Sequence, residues 1–352
     1  MKKNVFLLFM LIVVPYILCL VFSLFSDQIQ IGQGGDSLES HLLNKEVLIE
    51  INGLYKSIDV EEYVLGVLPG TISADYHSEA LKVQAILIRT NVLKEMEEKN
   101  TSDAADLSYE YLTVEDRITL FGERNYEKKE ERFEKAVVDT AGQVLRKEGA
   151  LIMALYHEVS IGKTISANEI LGEDISYLQS VDSSQDVEAK NYMNVINYTW
   201  QELQEIELGN GTVEDGETEV PAAETPTAET PAAEIPAPET SVSEMPATET
   251  VPETQQIEKI TFEIMESTEN GFVKQLSVNG TIYTGEEAVE KYGLTSANFY
   301  VEEVQDGIRF VCLGKGNCMG LSQYGANYMA LNGSKIEEII QAYYGKVSLE
   351  EY

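Results

Sequence analysis

Residues 314–330 read GKGNCMGLSQYGANYMA, a glycine-rich loop that runs into a helix. Gly314, Gly316 and Gly320 let the backbone make close, unusual turns just before that helix. Ser322, Gln323 and Tyr324 then fall around its first turn, where polar side chains either face a ligand or cap the helix. The stretch is not a phosphate loop, because Lys315 comes too early and no Gly-Lys-Ser/Thr ending follows. Upstream, GIRFVCL (307–313) has the pattern of a strand; downstream, Asn332-Gly333 separates two short helices.

Further out, EVLIEINGLYKSIDVEEYVLGVL (46–68) alternates apolar and polar residues around Asn52-Gly53, which predicts a β-hairpin followed by a short helix. On that helix Glu61 and Glu62 are expected on a solvated face. In SEALKVQAILIRTNVLKEM (78–96), Leu81, Ala85, Ile88 and Val92 recur at helical spacing, with Ser78 expected as N-cap. A charged helix is expected near 127–140, a turn at Ala141-Gly142, and strands over 143–146 and 150–157. Residues 260–267 and 271–285 read as strands with a hairpin at Asn279-Gly280, and 286–293 as a helix stopped by Gly293. The fold class expected is α+β: a mixed, largely antiparallel sheet with packed helices.

Composition divides the chain into two materials. Its 352 residues carry 60 acidic against 25 basic side chains, a net charge of −35, yet 43% are hydrophobic, enough for a sizeable core. That charge speaks against nucleic acid as a partner, since phosphate binding needs clustered Lys and Arg. Residues 214–253 hold eleven acidic and no basic residues and seven of the nine prolines, with Glu and Pro recurring every five positions. No helix or strand has that period, so a disordered, solvated acidic insert rich in Pro, Glu, Thr and Ala is expected over 209–256. Residues 5–25 contain no charge and are long enough for a transmembrane helix. With Lys2 and Lys3 before it and Asp27 after it, an uncleaved signal anchor (1–26) in the cytoplasmic membrane is expected, the bulk of the chain lying outside. A stalk (27–46) then leads to one domain in two parts, 47–208 and 257–352. Beyond the anchor only Cys312 and Cys318 remain; a disulfide and two separate buried thiols are both open. With three histidines and no tight Cys/His spacing, neither a metal nor a cofactor is expected.

The blocks, taken in order, resemble one family. Residues 314–326 resemble the G-x-G-H-G-x-G-M-S-Q-Y-G-A motif of the stage II sporulation protein D / amidase-enhancer family. VEEYVLGVLPGTISADYHSEALKVQAILIRTNVL (60–93) is similar to its opening block, AVVDTAGQVL (136–145) to its A-V-x-x-T-x-G-x-V-L, ALYHEVSIGKT (154–164) to its strand leading to S-x-G-G-x-T, and YLQSVDSSQD (177–186) to its Y-L-x-x-V-x-S-P-x-D. IEEIIQAYYG (336–345) is similar to its closing helix. The resemblance implies peptidoglycan remodelling during sporulation by lytic transglycosylase chemistry on glycan strands stripped of their stem peptides. One carboxylic acid protonates the glycosidic oxygen, and its carboxylate then takes the proton of the sugar's C6 hydroxyl to close a 1,6-anhydro ring.

This chain departs from the family at motif centres. Thr71 stands where the resemblance places the acid, Asn317 where it places a His, Cys318 in place of the next Gly, and Ile161 within S-x-G-G. Glu79 is the acidic residue retained in the E-A-L-K block and the catalytic candidate, with Asp75 a weaker substitute from a loop. Arg89, Ser160, Ser322, Gln323 and Tyr324 are the candidates for binding substrate, with Tyr63 a further ring for stacking on a sugar. Two functions follow: a glycan-remodelling protein that acts on or binds denuded strands, or a non-enzymatic scaffold or enhancer of a cell-wall amidase or another engulfment protein.

Overall fold

The computed structural model describes residues 37–209 and 259–352. The transmembrane helix expected at 5–25 and nearly all of the acidic insert expected at 209–256 lie outside them. Among the described residues no helix is long and apolar enough to cross a membrane.

Strands β1 (Glu46–Ile51) and β2 (Leu54–Asp59) form the first hairpin, its turn made by Asn52 and Gly53 at φ 53° and 77°. Two consecutive left-handed residues match the twist of the flanking strands. Asp59 caps the next helix, α1 (Val60–Thr71), by accepting the Glu61 N–H at 2.9 Å. Helix α2 (Ser78–Lys99) is the central element, packing against α1 and against helices and strands from both ends of the chain. Its N-cap is His77, one residue earlier than expected, whose Nδ1 accepts the Glu79 N–H at 3.2 Å. Ser78 already has helical geometry.

Helix α3 (Val114–Phe121) was not anticipated; a capping box between Thr113 and Asp116 starts it and Gly122 ends it. The charged helix α4 (Glu123–Val138) follows, then β3 (Gln143–Lys147) and β4 (Ala150–Leu151). The strand expected over 150–157 is divided. Its first part pairs with β3, and after four residues the chain pairs again as β5 (Tyr156–His157). Next come α5 (Ala167–Leu171), β6 (Met193–Thr199) and α6 (Trp200–Glu207). After the insert come β7 (Phe262–Ser267), β8 (Val273–Val278), β9 (Thr281–Thr284) and α7 (Gly285–Lys291). β10 (Phe299–Val304), β11 (Gly307–Leu313), β12 (Leu321–Ser322), α8 (Gln323–Leu331), α9 (Ile336–Tyr344) and β13 (Ser348–Glu351) complete the chain.

The α+β class holds, but the strands make five small sheets rather than one. All are antiparallel except the β5–β12 pair. Three pairings join strands that precede the insert to strands that follow it: β6 with β11, β5 with β12 and β3 with β13. Two core clusters meet on opposite faces of α2: Leu81, Ala85, Ile88 and Val92 pack toward α1, while Val83, Ile86 and Leu87 pack toward α8 and α9. A third, built on Phe310 and Tyr292, joins β11 to α7 and α6. The second cluster fixes α8, and with it the glycine-rich loop, against the helical core.

Candidate functional site

The glycine-rich loop threads through backbone rather than around side chains. Gly314, Gly316 and Gly320 have φ of 74°, 99° and 69°, and Cys318 between them is also left-handed at 57°. At Gly320 a Cβ would overlap the Leu155 carbonyl, and at Gly316 it would press on the His157 Cβ. Glycine is required at both because the loop lies directly on β5. Ser322 accepts the Gly325 N–H at 3.0 Å and starts α8.

From there two consecutive residues tie together the walls of a cleft. The Gln323 side chain donates to the Thr71 carbonyl at 2.7 Å, and the Tyr324 N–H donates to the Glu158 carbonyl at 3.1 Å. The cleft, about 310 Å³, is lined by Thr71, Ser73 and Tyr76 from the end of α1 and the loop after it, Phe121 and Lys129 from α3 and α4, and Glu158 and Gln323. That is the lower end of the usual range for small-ligand sites. The Thr71 hydroxyl donates back to the Leu68 carbonyl at 2.9 Å, a helix-terminal bond that occupies its proton. Glu158 is half-buried; one oxygen pairs with the Lys315 ammonium at 2.8 Å and the other accepts from the Asn191 amide. Burial first, and the Glu158 carboxylate next, push the Tyr76 phenol up to about 12, so at neutral pH it is an uncharged hydrogen-bonding wall.

The other candidates sit elsewhere. Glu79, 8% exposed, holds Lys82 at 3.3 Å with one oxygen and lies 3.9 Å from the Lys335 ammonium with the other; Lys82 in turn binds Asp139 at 3.0 Å. Glu79 is not among the residues lining the cleft. Arg89 is fully buried, its Nε and Nη2 donating to the two oxygens of Glu61 at 2.8 and 2.6 Å. Glu61, expected in solvent, is therefore wholly buried, because Arg89 supplies its partner and the Gly142 N–H a further bond at 2.9 Å. Ser160 is buried, its N–H donating to Asp186 at 2.8 Å and its hydroxyl accepting from the Gly162 N–H. Ser322 is spent as a cap. Tyr63 is also buried, its hydroxyl donating to the Tyr109 carbonyl. Gln323 alone of these lines the cleft, with Tyr324 next to it.

Two groups of the loop take structural parts. Cys312 and Cys318 are separate free thiols, both buried, and burial pushes the Cys318 thiol up to about 12. His157 is buried; its Nδ1–H donates to the Met319 carbonyl at 3.0 Å, and its Nε2 has no partner. Burial lowers its pKa to about 4 from an ordinary value near 6.5. Between those values the unfolded chain binds a proton that the folded chain does not, so stability falls as pH drops from 6.5 to about 4. Urea unfolding of wild type and His157→Gln between pH 7 and pH 4.5 should show a steeper loss in wild type, the difference reaching about 2–3 kcal/mol. Equal slopes would remove His157 from the account. Asn317 is exposed and accepts the Met319 N–H at 2.9 Å. It borders a larger, mostly apolar cavity of about 680 Å³ beside Phe272, Ile170 and Val289, which shares none of the cleft's residues.

The Stage II sporulation protein family model matches residues 52–146, the segment that carries α1, Thr71, α2 and α4. The chain is also 26% identical over 327 residues to stage II sporulation protein D of Bacillus subtilis, an alignment covering 91% of this chain and 82% of that one. Residues 52–146 thus match the family's domain, and the similarity to stage II sporulation protein D extends over most of the chain. The protein of the same name from Bacillus amyloliquefaciens is 26% identical over 85% of this chain and 76% of its own. An uncharacterized protein of Brachyspira hyodysenteriae is 25% identical over 87% of this chain and 70% of its own. Glu158 and Lys129 are the charged cleft residues that sequence reasoning missed. Neither carries a local signal: one follows a two-residue strand, and the other sits in a helix full of charge.

Proposed function

We propose that this chain is a membrane-anchored sporulation protein, held by residues 5–25, that binds the glycan strands of peptidoglycan without cleaving them. The supporting observation is the state of the carboxylates around the cleft. Thr71 occupies the position of the acid and its hydroxyl is committed to Leu68. Glu79 lies off the cleft between two lysines, and both oxygens of Glu158 are engaged, by Lys315 and by Asn191. None is a carboxyl group left free in the cleft to reach a leaving group. What the cleft does offer is a carboxylate, an amide and a neutral phenol, groups suited to hydrogen-bonding sugar hydroxyls. A wall amidase or another engulfment protein is the partner that such a receptor would place on the strand.

The reading is tested by co-sedimentation of the full chain with insoluble denuded glycan. Wild type should co-sediment, and Glu158→Gln should bind about tenfold more weakly through loss of a charged hydrogen bond, about 1.5 kcal/mol. A wild-type chain that stays in the supernatant would sink it.

A further inference from the structure

One sheet edge lacks the usual guards. Strand β6 lies at the edge of the sheet β10–β11–β6 and reads MNVINYT, seven residues with no charge, no proline and an unbroken register. An exposed edge is commonly blunted by charge, proline, a bulge or shortness, because its unpaired N–H and C=O groups template another strand. The described edge strands of six residues follow that rule. β1 carries Glu46 and Glu50, β2 Lys56 and Asp59, β7 Glu263 and Glu266 with two register shifts, and β10 Glu302 and Glu303; β9, uncharged, has only four residues.

The register shows which groups of β6 face outward. The Trp200 N–H donates to the Asp306 carbonyl at 3.1 Å and the Gly314 N–H to the Tyr192 carbonyl at 2.7 Å, so the ladder to β11 uses the alternate residues Asn194, Ile196 and Tyr198. The backbone groups of Met193, Val195 and Asn197 point the other way and bond nothing among the described residues. Their side chains share the outer face, with Met193 57% and Val195 44% exposed. On that face Val195 stands beside Val311, and Val311 beside the exposed Tyr300, an apolar row that stops at the β6 edge.

We propose that β6 is a self-association edge, pairing antiparallel with β6 of a second copy about a two-fold axis through Val195. The geometry selects a second copy over a foreign strand. In that pairing Val195 meets its counterpart and Met193 meets the Asn197 of the second copy, so every outward N–H and C=O group faces another in hydrogen-bonding register. The apolar row becomes continuous, Tyr300, Val311 and Val195 running on into the same three residues in reverse order. A strand without charge sets no like charges against each other and offers no sign by which to choose a different partner. The net charge of −35 on each copy opposes the approach, so association should tighten as salt is raised, the reverse of an interface built on ion pairs.

The test follows the oligomeric state of the full chain in detergent by sedimentation velocity, for wild type, Val195→Lys and Val195→Pro. Lysine sets like charges against each other at the axis, and proline removes the outward N–H while sparing the ladder to β11. Wild type should form a dimer that each variant weakens about tenfold, with the circular dichroism spectrum unchanged. In a Cys19→Ser chain, mild oxidation should cross-link Val195→Cys into a dimer and leave Thr281→Cys, on the β9 edge, monomeric. A monomeric wild type overturns the pairing and leaves the edge to a strand of another protein. A dimer undiminished in Val195→Lys or Val195→Pro places the contact elsewhere and overturns it, as does equal cross-linking at positions 195 and 281. Should a variant lose its fold, the cross-link decides alone.

Discussion

Replacing Arg89 with alanine is expected to destabilise the protein by about 3–5 kcal/mol, the usual consequence of stranding one charge of a buried pair. Arg89 and Glu61 are both fully buried, and their two parallel bonds join α2 to α1. The guanidinium also donates to the Gln143 carbonyl at 3.2 Å, while Glu61 accepts from Gly142, so the pair fixes the turn that leads into β3. Alanine would leave the buried Glu61 carboxyl with one backbone N–H, that of Gly142, for company. For a domain of this size each kcal/mol lowers the melting temperature by about 2–4 °C, which gives a drop of roughly 10 °C or more. Thermal unfolding followed by circular dichroism measures it directly. The double variant Arg89→Met/Glu61→Leu should recover much of the loss, since no charge is left unpaired. A single variant that melts with wild type would show that the pair contributes nothing to the fold.

Gly320→Ala is expected to cost about 2–5 kcal/mol and to abolish glycan binding with it. Two penalties combine. A left-handed alanine costs about 1–2 kcal/mol, and a methyl group pressed into the Leu155 carbonyl adds the usual 1–3 kcal/mol of overpacking. Backbone cannot rotate away as a side chain would, and the Leu321 N–H bonds that same carbonyl at 3.0 Å. Relief would come by separating β12 from β5, the two-residue parallel pair from which Gln323 and Glu158 lead off. Urea unfolding together with co-sedimentation on denuded glycan reads both effects. Loss of binding without loss of stability would mean the loop touches ligand directly; unchanged binding would detach the cleft from the loop.

These effects mark where sequence reasoning reaches and where it stops. The hairpin turns at Asn52-Gly53 and Asn279-Gly280 and the spaced apolar residues of α2 were legible because local chemistry decides them. The glycine-rich loop was legible as a constraint, for glycines before a helix announce close backbone contact even when the neighbour is unknown. Glu61 was misread because a helix-surface pattern cannot foresee a partner 28 residues further on. Helix α3 was missed although the Thr113–Asp116 capping box is written in the sequence, its eight residues being too short to establish a period. The cleft residues were hidden for a different reason. Glu158 comes to the cleft through contacts with residues more than 150 positions away, and Lys129 reaches it from a helix whose charge pattern marks no position as special.

The central claim is that this chain binds glycan in its cleft without an acid there to cleave it. Incubating the full chain with denuded glycan strands and analysing the soluble fraction by mass spectrometry tests it most directly. The account predicts strands retained on the protein and no 1,6-anhydromuramic ends above a protein-free control. Such ends produced by wild type and lost in Glu158→Gln or Glu79→Gln would contradict it and make that carboxylate the working acid.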